Sequence, residues 1–129
     1  MRVAALAMAM SLHVLASVAY VAAQPLTPLS PTASRYFTAS WEAFDRRGQP
    51  YLRGYVENHY GAHASRIQLL TESLDASGQI VAQRVEWLGS EVGPFSRRYF
   101  EIPAPQRASS YRVSVFAFDF LQASLSQAP

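Results

Sequence analysis

From residue 35 onward the chain alternates apolar and polar residues with a period of two, and that pattern restricts it to paired strands. In Tyr36–Phe44, the residues Phe37, Ala39, Trp41 and Ala43 alternate with Thr38, Ser40 and Glu42. Successive side chains of a strand point to opposite faces, so alternation is what one buried and one solvated face demand. Tyr51–His59 repeats it, with Leu52, Gly54, Val56 and Asn58 on one face and Tyr51, Arg53, Tyr55 and Glu57 on the other. Ser65–Leu74, Gln79–Leu88, Phe95–Ile102 and Tyr111–Leu121 complete the set. In Gln79–Leu88 the expected inward set is Val81, Val85 and Trp87; Gln83 interrupts it, which points to a bulge or an edge position. Turn signals separate the segments: Asp45–Pro50, Gly61, Asp75-Ala76-Ser77-Gly78, Gly89, Gly93-Pro94 and Pro103-Ala104-Pro105. No stretch from 35 to 121 sustains a 3.6-residue period. The expectation is an all-β fold, a single antiparallel sandwich or barrel of six to seven strands.

Ahead of these strands, Met1-Arg2 opens a run from Val3 to Ala23 without formal charge, ending Val21-Ala22-Ala23 before Gln24-Pro25. A cationic start, an apolar stretch and small residues at the cut describe a secretory signal peptide over residues 1–23. The alternative is an uncleaved anchor, since the run is long enough to span a bilayer. His13, Ser11 and Ser17 dilute it, and no Lys/Arg cluster follows before Arg35. The domain is therefore expected outside the cytoplasm, in a bacterial periplasm. Membrane contact arises only if the leader is retained.

Residues 24–34 place Pro25, Pro28 and Pro31 three apart, a spacing that favours polyproline II. This Pro-rich linker is either a frayed mature terminus or a spacer. The β domain is placed at 35–121, and 122–129 form a C-terminal tail.

Removing the leader leaves 106 residues, enough for one domain. All eleven cations are Arg, an associational sign of a GC-rich bacterial genome. Ten of them remain against nine carboxylates, so net charge implies no polyanion partner and no nucleic acid. With no cysteine, disulfides and thiolate metal sites are excluded, and stability rests on the core.

No motif specifies a reaction. There is no Gly-x-Ser-x-Gly elbow and no glycine-rich phosphate turn. The two mature histidines, His59 and His63, share one loop. With Glu57 they form the weak alternative of a three-ligand metal site, against two unoccupied loop histidines. The expectation is no enzyme and no cofactor.

Two groups are candidate interface residues. Phe116, Phe118 and Phe120 share parity with Arg112 and Ser114, opposite the expected core set Tyr111, Val113 and Val115. Three phenylalanines on a solvated face need covering. They are either buried on a second face, moved inward by a one-residue bulge, or a partner surface. Tyr51, Arg53 and Tyr55 form the second group, because Tyr and Arg are enriched in binding hot spots. Cross-strand pairing for stability is the competing role.

Tyr111-Arg112-Val113-Ser114-Val115 resembles the tyrosine corner of immunoglobulin-like sandwiches, with Val113 where a disulfide-bearing domain has its second Cys. Gly54-Tyr55-Val56-Glu57-Asn58 together with Leu74-Asp75-Ala76-Ser77-Gly78 resembles the FxLYD-type bacterial extracytoplasmic β-sandwich. The resemblance covers about residues 50–120. It departs from the family pattern at Leu74, where the family has Tyr, and after Leu88, where the usual Pro-Gly turn is replaced. It implies an immunoglobulin-like sandwich and a structural role for Tyr111, and it transfers no catalytic residue. The leading expectation is a non-enzymatic module for protein–protein interaction or envelope assembly, with another envelope or secreted protein as partner. The alternative is an extracytoplasmic small-molecule or metal-binding accessory domain.

Overall fold

The computed structural model describes residues 24–121; the leader and tail readings fall outside this range. The strands are β1 (Phe37–Arg46), β2 (Gln49–Asn58), β3 (His63–Leu74), β4 (Ile80–Trp87), β5 (Arg97–Pro103) and β6 (Ser110–Leu121). One helical turn, α1 (Ala33–Tyr36), precedes them across the expected linker boundary. Two antiparallel three-stranded sheets result, sheet A in the order β1-β2-β5 and sheet B in the order β4-β3-β6. The described chain is all-β.

The β1–β2 hairpin closes through Arg47 and Gly48 alone, at φ 51° and 79°. Positive φ at both central residues makes a primed turn, whose twist matches that of the strands. A two-residue loop leaves Asp45 and Pro50 paired inside the strands, so the expected turn over Asp45–Pro50 is too wide. Phe95, expected to open the fifth strand, lies in the preceding turn at φ 52° and is 76 % exposed.

The core lies between the sheets. Leu52 and Val56 of β2 and Phe100 and Ile102 of β5 meet Ile67 and Leu69 of β3 and Val113 and Val115 of β6. In β2 the alternation foreseen from the sequence is observed: Leu52, Val56 and Asn58 are buried. Gly54 is opposite Trp41 and Phe100, and a Cβ there would stand 1.8 Å from the Ser40 carbonyl oxygen. Asn58, almost fully buried, donates from Nδ2 to the carbonyls of Ala62, Val92 and Gly93 and accepts the Tyr60 N–H at Oδ1. It fastens the β2–β3 loop to the 92–93 segment.

The expected inward set of β4 is inverted. Trp87 is 58 % and Val81 45 % exposed, while Glu86 opposes the core residue Leu69. The register slips between Ser73 and Leu74, where Val81 is the extra residue on β4. β4 is also an edge strand, so Arg84 and Glu86 reach solvent at its rim while lying on the inner side.

Residues 24–34 are docked on the domain. The Leu29 N–H donates to the Phe116 carbonyl at 2.9 Å. Leu26 exchanges two hydrogen bonds with the Gln83 amide, at 2.8 and 2.9 Å. A segment bonded to β6 and to β4 crosses the outer face of β3 between them, the face that carries buried Leu70 and Glu72.

Tyr111 joins the sheets where β1 meets β6. The Ala108 N–H donates to its hydroxyl at 3.0 Å, and its carbonyl accepts Trp41 Nε1–H at 3.0 Å. The hydroxyl thus bonds to backbone three residues upstream.

Gly54→Ala is expected to destabilise the domain by more than about 3 kcal/mol, beyond ordinary overpacking, because the obstructing atom is backbone. Chemical denaturation followed by circular dichroism checks this; a midpoint shift below about 1 kcal/mol would mean β1 and β2 can separate at this point.

Candidate functional site

The outward residues of sheet A stand in four cross-strand rows: Phe44–Tyr51–Pro103, Glu42–Arg53–Glu101, Ser40–Tyr55–Tyr99 and Thr38–Glu57–Arg97. Directly opposed side chains on one face are close enough to interact. Arg53 Nε donates to Glu42 Oε1 at 2.6 Å while its guanidinium lies 4.6 Å from the Phe44 ring centre. Arg46 Nη2 donates to Glu101 Oε2 at 2.5 Å and stacks 4.7 Å from the Tyr51 ring. The Tyr99 hydroxyl donates to the other Glu101 oxygen at 3.0 Å. Tyr99 meets Tyr55 edge to face at 5.6 Å, and Arg97 covers Tyr55 at 4.3 Å. Guanidinium over an aromatic face is an attractive electrostatic contact.

Charge follows this geometry. The bonds from Arg46 and then Tyr99 hold the Glu101 carboxyl below its ordinary value. Lost hydration and the bond to Glu101 hold the Tyr99 phenol above its own. The Glu101 and Glu42 carboxylates keep Arg46 and Arg53, respectively, firmly charged. Both carboxylates of the Glu42–Arg53–Glu101 row are paired with an arginine, and the face offers rings and ion pairs rather than a net field.

Tyr51, Arg53 and Tyr55, singled out in the sequence, are gathered here. Phe44, Arg46, Arg97, Tyr99 and Glu101 were missed. Their parity held the signal: Phe100 and Ile102 are inward, so Tyr99 and Glu101 must face outward.

The three phenylalanines of β6 do not form one surface. The register slips twice, first between Ser65 and Gln68 and then between Gln68 and Leu69, where Phe116 is the extra residue on β6. A bulge changes the face of everything beyond it. Val113 and Val115 face the core before it; Phe118 and Phe120 face the core after it. Phe118 lies 4.8 Å from Phe37, and Phe120 lies 4.7 Å from Tyr60 and 5.2 Å from Tyr36. Phe116, whose carbonyl holds Leu29, is separate from that cluster.

His59 Nε2 is 2.8 Å from Thr38 Oγ1 and 3.7 Å from Glu57 Oε2, while His63 begins β3. Among the described residues no three metal-ligating side chains converge, so Glu57, His59 and His63 do not assemble as the alternative site required.

No match to this chain was found among family models, curated proteins or solved structures.

Phe118→Glu is expected to unfold the domain, because it buries an unpaired charge within the aromatic cluster. A folded, monodisperse variant by circular dichroism and sizing would restore Phe118 to the surface.

A second expectation concerns acid. Between the folded and the ordinary value of Glu101 the unfolded chain binds more protons, so stability rises with pH there. The contribution is complete above the ordinary carboxylate range and is lost as pH falls through the folded value. Thermal melts over a pH series should show Glu101→Gln below wild type at about pH 7, with the gap closing as pH falls through that range. A gap independent of pH would mean the carboxylate is not what matters.

Proposed function

We propose that this chain is an exported, non-enzymatic β-sandwich module of immunoglobulin-like type that binds another envelope or secreted protein through the outer face of sheet A. One observation carries the reading: Phe44, Arg46, Tyr51, Arg53, Tyr55, Arg97 and Tyr99 share one open sheet face and already hold one another in place. Tyr and Arg supply large contact area with a polar end, and they dominate interface energetics when desolvated. Side chains ordered before binding lose less rotamer freedom on association.

The leader-like residues 1–23 and the resemblance of residues 50–120 to FxLYD-type domains support an extracytoplasmic, periplasmic location. The residues behind that resemblance act on backbone: Gly54 permits close strand approach, Val56 fills the core and Asn58 fastens a loop. Tyr111 would serve as the corner of the sandwich. The depression bounded by Ser40, Glu42, Arg53, Tyr55 and Tyr99 is shallow and open, which suits a protein surface better than an enclosed small ligand.

A photocrosslinking residue at Tyr55, in the full-length protein made in its own cell, is expected to capture one discrete envelope or secreted protein; the same residue at Ser90 is not. Replacing Arg53 and Tyr55 together by Ala should weaken that capture at least about tenfold, each hot-spot truncation costing more than 1 kcal/mol. Equal capture from both positions, or none from Tyr55, overturns the assignment of this face.

A further inference from the structure

β4 has β3 on one side and, among the described residues, no backbone partner on the other. The Leu88 N–H donates to the Ile67 carbonyl at 2.9 Å, and this pair continues the register of Gln68 with Trp87 and Leu69 with Glu86. In an antiparallel ladder, hydrogen-bonded pairs alternate with unbonded ones. The even-numbered residues 82 to 88 therefore turn their backbone groups to β3, and Gln83, Val85 and Trp87 turn theirs outward. β4 contains no proline, and it leaves Val81 and Trp87 45 % and 58 % exposed. An unpaired edge of this length is a template for another strand. The N-terminal segment holds the Gln83 side chain from the outer face and leaves the edge backbone open.

We infer that β4 pairs antiparallel with β4 of a second copy across a two-fold axis at Val85, joining two B sheets into one of six strands. About that axis Val85 opposes Val85, and Gln83 opposes Trp87 of the second copy. These are the residues whose N–H and C=O point outward, so each opposed pair exchanges reciprocal hydrogen bonds. The same axis sets Arg84 opposite Glu86 of the second copy, in the unbonded positions where opposed side chains stand closest. Arg84 and Glu86 already pair within one chain. The axis thus builds a ring of four alternating charges.

Neighbouring registers lose one or both of these features. An axis at Arg84 or Glu86 opposes like charges and uses backbone groups already committed to β3. An axis at Gln83 leaves Arg84 opposite Ala82. Complementary charge and outward backbone coincide at Val85. The dimer leaves the outer face of sheet A open on both copies, so this inference stands apart from the proposed partner surface.

Sedimentation velocity of the full-length protein over a dilution series tests it. A concentration-dependent dimer is expected. Arg84→Glu and Glu86→Arg should each sediment as folded monomers, since each opposes like charges twice. An equimolar mixture of the two should recover the dimer, because every opposed pair is again complementary. Val85→Pro removes an outward N–H that β3 does not use and should also abolish the dimer with the strand spectrum retained. A wild-type monomer at every concentration overturns the inference. So does a dimer indifferent to these substitutions, or a mixture that stays monomeric. Capture by the sheet A face should persist in all three variants; losing it while the dimer survives would discredit that face alone.

Discussion

β3 is buried on both faces, and the rest of the molecule is arranged to make that possible. Its inner side carries Ile67 and Leu69 into the core and adds Thr71 and Ser73, two hydroxyls that must find acceptors. Thr71 donates to the Arg84 carbonyl and Ser73 to the Gln106 carbonyl. Its outer side carries Leu70 and Glu72, at 1 % and 3 % exposure. A carboxylate so placed is tolerable only when its oxygens are taken up. Arg112 Nε reaches one at 2.7 Å and Gln83 Nε2 the other at 2.9 Å. Among the described residues no buried side-chain polar atom lacks a partner.

Sheet A covers only the inner side, so the outer side needs a third layer. Residues 24–30 supply it, and Gln83 is the hinge of the arrangement: its amide donates to Glu72 and to the Leu26 carbonyl and accepts the Leu26 N–H. One side chain thereby connects the buried carboxylate with the segment that covers it. Without disulfides, this covering rests on hydrogen bonds and apolar burial alone.

Strand order along the chain was legible because alternation is a local property. All six strands were located within a few residues, since Gly48, Gly78 and the prolines punctuate them. What alternation cannot give is the face, wherever a bulge intervenes. Val81 shifts β4, so Val85 and Trp87 turn outward and Arg84 and Glu86 inward, against hydrophobicity. Phe116 shifts β6, so Phe118 and Phe120 leave the face they share with Ser114 in the sequence. In the sequence Gln83 points to a bulge or an edge in β4, and a one-residue bulge is one alternative for β6, but the position of each bulge is set by pairing with β3. The Tyr51, Arg53 and Tyr55 face was legible because β2 is paired on both sides and unbroken in register. The counterparts on β1 and β5 became neighbours only through pairing.

The two outer faces consequently carry different chemistry. Sheet B holds its N-terminal segment through Gln83, which bonds the buried Glu72 carboxylate, while Arg112, the ion-pair partner of Glu72, is half exposed. Sheet A leaves Arg46, Arg53 and Glu101 partly in water, where exposed ion pairs add little to stability and often nothing. Their value to folding is small, so stability does not explain why a carboxylate and a ring hold Arg46 and Arg53 each from two sides. Holding an arginine in this way removes rotamers that a partner would otherwise have to freeze. That saving is realised only when something binds. On the proposed reading the side-chain order of sheet A serves recognition rather than stability, and among the described residues nothing lies across that face.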